Sequence, residues 1–209
     1  TGIDVLPAIH TFNRCTNSRI SRLVLNDCSQ TMGWRKMSNE AVHLVFMGVA
    51  GCGKTTAAQQ MADFLKWPAA EADDFHPQAN IDKMSAGTPL TDEDRWPWLR
   101  SIRDWMSDHA RNGQSTIVTC SALKRSYRDL LRESQGRVFF VHLTVPEDVI
   151  RERMATRDHF MKPNMLPSQF ATLEDLESDE DGVVISALGD IDETFNATVN
   201  ALREQGLID

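Results

Sequence analysis

The sequence predicts an α/β fold of three layers, in which a five-stranded parallel sheet carries helices on both faces. From residue 41 onward, short apolar segments alternate with segments whose apolar residues recur at helical spacing. Strands and helices that alternate in this way form parallel sheets that are covered on both sides. The first apolar segment runs directly into a glycine-rich loop. Because ligands bind at the carboxyl ends of such strands, the loops that follow the strands are the candidate functional segments.

Local features of the sequence account for each predicted strand and helix. The strands are short apolar runs that end in turn residues or charge, and the helices are longer segments with one apolar face. Thr91, with Asp94 three residues later, signals the start of the second helix, and Pro146 occupies the first turn of the fourth. In chain order the predicted elements are strand 42–47, helix 54–66, strand 69–73, helix 92–112, strand 115–120, helix 124–133, strand 137–145, helix 146–157, strand 182–188 and helix 192–204.

The first forty residues differ from the rest of the chain. They show no sustained period and carry little acid, so we interpret residues 1–40 as an N-terminal extension that is dispensable or disordered. Met37 stands just before the first strand and is a natural start. The folded domain is therefore expected to span residues 41–209.

Composition and charge restrict the class of protein. Hydrophobic residues at 41% and charged residues at 25% are ordinary for a soluble globular protein. The net charge of −8 argues against nucleic acid or an anionic membrane as the main partner, because both favour a basic face. No apolar run approaches the roughly 20 residues that span a bilayer. The four cysteines include no C-x-x-C pair, and we expect a reducing, cytoplasmic compartment.

The loop after the first strand has the spacing of a phosphate-binding motif. FMGVAGCGKTT holds Gly48, Gly53, Lys54 and Thr55 at the G-x-x-x-x-G-K-[ST] spacing, between a predicted strand and a predicted helix. The backbone N–H groups of such a loop form an anion-binding nest at the positive end of the following helix. Lys54 is expected to reach the β- and γ-phosphates of a nucleotide, and the Thr55 hydroxyl to bind Mg²⁺.

Two classes of enzyme with such a loop deserve comparison. TCSALK resembles the Ser-Ala-Lys turn with which GTPases contact the base, but the chain has no N-K-x-D sequence and no strand that ends in Asp-Gly. A small-molecule kinase needs an acidic group near the acceptor hydroxyl, basic groups for the substrate and the γ-phosphate, and a lid against water. Because the chain offers all three, the sequence favours a kinase.

The candidate acidic groups follow the second strand. EADDFHP brings Glu71, Asp73 and Asp74 beside the phosphate loop, and in an extended segment Glu71 and Asp73 share a side. One of these two could orient water bound to Mg²⁺, and the other could accept the proton of the acceptor hydroxyl. A solvated acidic loop is the alternative. His76 is either a substrate contact or a local hydrogen-bond partner.

Basic residues occur in two further segments. In CSALKRSYRDLLR, Lys124 and Arg128 are one helical turn apart and could bind an anionic substrate, with an exposed basic helix as the alternative. Arg153 and Arg157 lie at the end of the helix after strand four, where an arginine could clamp phosphate or lie against adenine. The following stretch, DHFMKPNMLPSQF, resembles a mobile lid with a short helix of its own, although its apolar residues could equally belong to the core. We interpret the acidic run LEDLESDEDG as a solvated loop without a function.

Longer motifs resemble one known family. MGVAGCGKT, DDFHPQANIDKMSAGTPLTDEDRWPWL, CSALKRSYRDLLR and HFMKPNMLPSQFATLE together resemble the bacterial-type gluconokinases, from about His43 to the C-terminus. The resemblance implies transfer of the ATP γ-phosphate to the 6-hydroxyl of D-gluconate, with ATP and Mg²⁺ as cofactors. It also implies the fold of nucleoside monophosphate and shikimate kinases, which is a phosphate-loop kinase fold with a lid, and a homodimer.

The resemblance also implies roles for individual residues. Lys54, Asp73 and Arg157 are the implied catalytic residues, and Thr55 and Glu71 the implied Mg²⁺ site, Glu71 acting through water. The implied ATP-binding residues are Gly48, Val49, Ala50, Gly51, Cys52, Gly53, Lys54, Thr55, Thr56 and Arg153. The implied gluconate-binding residues are Asp73, His76, Lys83, Arg95, Lys124 and Arg128, and the motif does not decide which base holds the carboxylate.

The sequence departs from the family pattern in three segments. Glu71 stands in place of the first Asp of a usual Asp-Gly-Asp, which puts the geometry of the Mg²⁺-bound water in question. Ala50 and Cys52 replace serines of the phosphate loop, and we expect Cys52 to add sensitivity to oxidants. The lid is one residue short near Asp158, so slower closure is expected.

Two other functions stay open on the sequence alone. The nearer one is a kinase of the same fold that acts on another small acceptor such as shikimate, although shikimate kinases resemble a glycine triplet where this chain has CSALK. The other is a non-catalytic regulator that binds a nucleotide. Such a regulator would bind ATP but would release no ADP in response to gluconate.

Overall fold

The fold is built on one parallel sheet, as predicted. The computed structural model describes residues 40–155 and 166–209, apart from the side chains of residues 154 and 155. Among these residues, five strands pair in the order β2-β3-β1-β4-β5, and every neighbouring pair is parallel. The strands are β1 (Val42–Met47), β2 (Ala69–Glu71), β3 (Thr116–Thr119), β4 (Arg137–Thr144) and β5 (Gly182–Ser186).

Helices connect the strands and cover both faces of the sheet. Thr91 starts the longest helix with the predicted capping box, since its side chain accepts from the Asp94 N–H and Asp94 accepts from the Thr91 N–H. The described helices are α1 (Lys54–Leu65), α2 (Gln78–Ser85), α3 (Asp92–Arg111), α4 (Arg125–Arg132), α5 (Glu147–Ala155), α6 (Leu166–Thr172) and α7 (Ile191–Glu204). In the described part of the chain, none of them is long and apolar enough to cross a membrane.

The core lies in two layers because side chains of a strand alternate between its faces. Leu44 and Phe46 of β1 belong to one buried cluster, with residues of α1 and α7. Val45 and Met47 belong to the other, with residues of α3 and α4. All four side chains are 0% exposed, so β1 is buried on both faces, as a central strand of a parallel sheet must be.

One local expectation was wrong, and one helix was not predicted. The second strand ends at Glu71, and Ala72–Phe75 form a 3₁₀ turn, so Glu71 and Asp73 do not share one side of an extended segment. Carboxylates at 73 and 74 suit the positive start of such a turn. Helix α2 had no prediction, because QANIDKMS is largely polar and Asn80 is its buried residue, which leaves no apolar face to recognise.

Some predictions fall on residues 1–39 and 156–165, which lie outside the described residues. The N-terminal extension therefore stays a prediction. The same holds for Arg157 and for most of the proposed lid. Of the lid segment, the described part is α6, which agrees with the short helix expected there.

Candidate active site

The loop between β1 and α1 has the backbone of an anion-binding nest. Gly48, Gly51 and Gly53 have φ values of +132°, +79° and +101°, a region that glycine enters without strain. A Cβ atom on Gly48 would lie 2.6 Å from the carbonyl oxygen of Leu143, so no side chain fits there. The Lys54 ammonium donates to the Val49 carbonyl at 2.9 Å and so arches over the loop. The N–H groups between these glycines lie at the positive end of α1.

A cleft of about 630 Å³ opens beside this loop. Arg153 spans its far side, donating from Nη1 to the Ala187 carbonyl at 3.0 Å and from Nη2 to the Leu188 carbonyl at 3.1 Å. The connection between β5 and α7 thus forms one wall of the cleft. The sequence motifs did not identify this wall, although its position after a strand of a parallel sheet was a signal that could have done so. The lining residues are Gly51, Cys52, Gly53, Thr56, Ala57, Gln60, Leu143, Arg153, Ala187, Gly189, Asp190, Ile191, Asp192 and Thr194.

Cys52 contributes its backbone to the loop and its side chain to the core. The residue is 0% exposed and belongs to the same buried cluster as Val49. A thiol in this position is shielded from reagents in solution. The structure therefore contradicts the expected oxidant sensitivity of Cys52.

Acidic and hydroxyl side chains line a second, smaller cleft on the other side of α1. It measures about 180 Å³, and Thr55, Glu71, Asp74 and Thr119 are among its lining residues. The Thr119 hydroxyl donates to Glu71 and fixes its carboxylate. Mg²⁺ prefers oxygen ligands and binds in kinases through one or two protein oxygens together with phosphates and water. This donor set therefore fits Mg²⁺, and Thr119 is a participant that the sequence did not suggest.

Asp73 and His76 lie next to each other after β2 but in different surroundings. The Asp73 side chain is 84% exposed, whereas that of His76 is 6% exposed, and Asp73 Oδ1 lies 3.9 Å from His76 Nε2. The His76 ring stacks on Trp98 with centroids 4.4 Å apart, and its Nδ1 lies 3.4 Å from Asn80 Nδ2. Burial lowers the pKa of His76, so the ring is neutral near pH 7. These contacts favour local packing over substrate contact for His76.

The carboxyl end of β3 adjoins the phosphate loop. Cys120 follows that strand, and burial raises the pKa of its thiol to about 12. The charge of Lys54 lowers this pKa and that of Asp73 raises it. The Gly48 N–H donates to the Ser121 carbonyl at 3.2 Å, which ties the phosphate loop to the same edge.

Three of the predicted basic residues gather at the start of α3. Lys83 Nζ donates to Asp94 at 2.5 Å, and Lys124 Nζ donates to Asp92 at 2.6 Å. Arg95 is different, because its nearest carboxylate contact is Asp92 at 3.7 Å and its closest partner is the Leu90 carbonyl at 2.6 Å. Each lysine thus has a carboxylate oxygen within 2.6 Å, whereas the ion pair of Arg95 with Asp92 is longer, at 3.7 Å.

Arg128 is buried, and this contradicts the prediction that it binds the substrate. Its side chain is 0% exposed and forms a two-pronged ion pair with Glu180, at 2.6 Å from Nε and 2.8 Å from Nη2. The remaining N–H groups donate to the carbonyls of Ala122, Leu123, Glu174 and Asp175. Since the guanidinium is already saturated with acceptors, it has no donor for a ligand.

The acidic run between α6 and β5 is the largely exposed loop that the sequence suggested, but Glu180 within it is buried and the run is tied to α4. Arg125 donates to Glu177 at 3.0 Å and to both oxygens of Asp179, at 2.9 and 2.8 Å. Together with the Arg128–Glu180 pair, these contacts fasten the run to α4. The acidic run serves to position the segment that follows CSALK.

Comparison with known proteins identifies the family of this chain. A family model described as an AAA domain matches residues 44–170. The chain is 46% identical over 144 residues to a gluconokinase of Gluconobacter oxydans, covering 68% of this chain and 81% of that protein. It is 40% identical over 161 residues to the thermoresistant gluconokinase of Escherichia coli, covering 77% and 90%.

Solved structures agree with these relatives. The crystal structure of a sugar kinase from Janibacter sp. is 51% identical and superposes with a TM-score of 0.75, over 78% of this chain and 95% of that one. A shikimate kinase from Aquifex aeolicus, at 15% identity and a TM-score of 0.51, shares the fold alone. The expected α/β phosphate-loop kinase fold is confirmed, and the chain belongs to the gluconokinase family.

Proposed function

We propose that this chain is a gluconokinase, which transfers the γ-phosphate of Mg²⁺-ATP to the 6-hydroxyl of D-gluconate and yields 6-phospho-D-gluconate and ADP. The observation that carries the proposal is a charge arrangement at one edge of the sheet. The exposed carboxylate of Asp73 follows β2, and the Arg95 guanidinium lies 5.9 Å from the ring of Tyr127 in α4. The phosphate loop is tied to Ser121, between β3 and α4. Kinship with gluconokinases at 40–46% identity supports it.

On the nucleotide side, the loop amides and Lys54 bind the phosphates. Lys54 exchanges its present acceptor, the Val49 carbonyl, for phosphate oxygens. Thr55 and Glu71 would hold Mg²⁺, with Glu71 acting through water, and the Thr119 hydroxyl keeps that carboxylate in place. When bound, Mg²⁺ neutralises charge on the β- and γ-phosphate oxygens. Arg153 lies at the cleft that would take the nucleoside.

On the acceptor side, Asp73 orients the 6-hydroxyl and accepts its proton as the phosphoryl group arrives. Its exposure leaves the carboxylate accessible to a sugar. Its place directly after β2 puts it at the carboxyl ends of the strands, where ligands of parallel sheets bind. Arg157 is proposed to stabilise the transferred group, as the family pattern implies.

Arg95 is the base that we assign to the gluconate carboxylate. Lys83 and Lys124 are each held by an aspartate within 2.6 Å, and Arg128 is buried. A guanidinium binds a carboxylate through two parallel hydrogen bonds, which a lysine cannot do. The two lysine–aspartate pairs then bring fixed donors and acceptors toward the sugar hydroxyls.

A coupled assay of ADP release across a panel of acceptors tests the proposal. We expect turnover with D-gluconate, weaker or no turnover with other sugar acids and with shikimate, and none with sorbitol, which has the six carbons but no carboxylate. Arg95→Met should raise the KM for gluconate about tenfold or more, because it removes a charge-assisted contact, while the KM for ATP stays near the wild-type value.

Turnover of shikimate in preference to gluconate would overturn the assigned substrate. ATP binding without ADP release for any acceptor would favour a non-catalytic regulator. Equal turnover of sorbitol and gluconate, or an unchanged KM for gluconate in Arg95→Met, would remove Arg95 from the carboxylate site.

A further inference from the structure

Gln169 of α6 reaches the backbone of the phosphate loop from a distant part of the chain. Its Oε1 accepts a hydrogen bond from the Ala50 N–H at 2.7 Å, across 119 residues of sequence. Ala50 directly precedes Gly51, which has φ +79° and turns the chain toward the Gly53-Lys54 corner. The orientation of the Ala50 peptide therefore decides where the following N–H groups of the nest point.

Helix α6 is fixed at both ends and so gives Gln169 a firm base. Leu166 at its start is 1% exposed and lies in the same buried cluster as Val49 of the loop. Just beyond its end, the Glu174 N–H donates to the Leu123 carbonyl at 2.8 Å, and the Glu174 carboxylate accepts from the Arg125 N–H at 2.5 Å. These two partners flank Lys124, so one short helix connects the phosphate loop to the acceptor side of the site.

We propose that Gln169 is a positioning residue for phosphoryl transfer, whose amide oxygen holds the Ala50 N–H and with it the phosphate loop in the geometry that receives the nucleotide. The inference deepens the proposed function and rests on it for the reaction concerned. Phosphoryl transfer depends almost wholly on the placement of the phosphates relative to the acceptor. A loop peptide that loses its partner weakens both the contacts to the nucleotide and the alignment of its γ-phosphate.

Gln169→Met tests this role, because methionine keeps the length and the helix propensity of glutamine but lacks a strong acceptor. We measure the dissociation constant of a non-hydrolysable ATP analogue with Mg²⁺ by calorimetry, and the KM for ATP and kcat at saturating gluconate. Loss of one hydrogen bond of ordinary net strength predicts analogue binding weaker by about three- to tenfold, a similar rise in the KM for ATP, and a lower kcat. Gln205→Met, the same change at the exposed end of α7, is the matched control and should match wild type.

A kcat that falls with an unchanged KM for ATP and unchanged analogue binding would show a merely structural role and overturn the proposal. A second measurement uses the wild type, in case the variant does not fold. The Ala50 N–H should exchange with solvent far more slowly than the amide of Ser178 in the exposed acidic run, and equal rates would also overturn it. Analogue binding needs no acceptor, so failure of the wild type to phosphorylate gluconate would refute the proposed function and leave the test of Gln169 intact.

Discussion

Asp73 is the side chain on which the proposed chemistry depends most directly. Asp73→Asn keeps the shape and one acceptor oxygen but can no longer take up the hydroxyl proton. We expect kcat to fall about 10²–10⁴-fold, the usual contribution of a general base, while the KM for ATP changes less than about threefold because the loop amides are untouched. Steady-state kinetics with saturating gluconate measure both values.

Asp82→Asn is the matched control for this change, since Asp82 is exposed on α2 and its carboxylate pairs with Gln78. It should turn over like the wild type. Wild-type kcat in Asp73→Asn would remove Asp73 from the mechanism, and another group at the edge of the sheet would then have to accept the proton.

The sequence could predict the residues whose roles depend on local spacing. The loop from Gly48 to Thr55 is such a case, because a nest needs only consecutive backbone groups in a fixed conformation. Spacing could not predict the fate of Arg128, whose partner Glu180 is 52 residues away along the chain. Nor could it single out Arg95, because that distinction depends on Lys124 finding Asp92 across 32 residues.

Helix α4 and the acidic run are held together by the buried Arg128–Glu180 pair. Removing one partner of such a pair leaves the other charged and desolvated. Arg128→Met should therefore lower the free energy of unfolding by about 3–5 kcal/mol, as measured by urea denaturation. The same variant should lose gluconate turnover at temperatures where it is partly unfolded, and regain it on cooling.

Arg132→Met is the control on the same helix, since the Arg132 side chain is 28% exposed and pairs with the exposed Asp129. It should change the free energy of unfolding by about 0.5 kcal/mol or less. Adding Glu180→Gln to Arg128→Met removes the stranded charge and should recover part of the lost stability. If Arg128→Met alone is as stable as the control, the pair does not fasten the acidic run.

The elements that the sequence predicted well are those that bury one continuous face. Helix α3 combines an apolar stripe with a capping box, and both signals are visible in its own sequence. Helix α2 and the 3₁₀ turn at Ala72–Phe75 lack such a stripe. They are held instead by polar contacts with α3, such as the bond from Asn80 Nδ2 to the Asp94 carbonyl at 2.9 Å. Contacts of that kind appear only when the chain has folded.

Several carboxyl groups of the folded protein have pKa values below their ordinary range. Hydrogen bonds from Lys124 and Arg125 lower the pKa values of Asp92 and Asp179, and one from Lys83 lowers the pKa of Asp94 to about 2. A carboxyl group whose pKa is lower in the folded state stabilises the fold above its unfolded pKa of about 4. That contribution is lost only as the pH falls from about 4 toward the pKa values of the folded state. These carboxyl groups therefore do not change the stability between pH 5 and 7.

Protonation of two buried histidines of the sheet does change the stability of the fold between pH 5 and 7. His43 and His142 are 0% and 1% exposed, and burial lowers both pKa values, although Asp175 raises that of His142 and Arg128 lowers it. The unfolded chain takes up these protons near pH 6.5, before the folded protein does, so the stabilisation is complete above about pH 6.5 and is lost as the pH falls through the folded values. The hydrogen bond from His43 Nε2 to the Gln135 carbonyl at 2.8 Å acts the other way and raises the pKa of His43, but burial is the larger effect. With Nε2 as the donor, Nδ1 of the neutral ring accepts from the Thr116 hydroxyl at 2.7 Å.

The free energy of unfolding should therefore fall as the pH is lowered from 7.5 to 5.0, with most of the loss below pH 6.5. Urea denaturation at constant ionic strength measures it at each pH. Replacing both histidines, in His43→Gln/His142→Gln, lowers the stability at pH 7.5 but should flatten the dependence, because the unfolded state then binds two fewer protons in this range. A wild-type stability that is constant from pH 7.5 to 5.0, or an equally steep loss in the double variant, would show that the protonation of these two rings does not set the acid side of the stability profile.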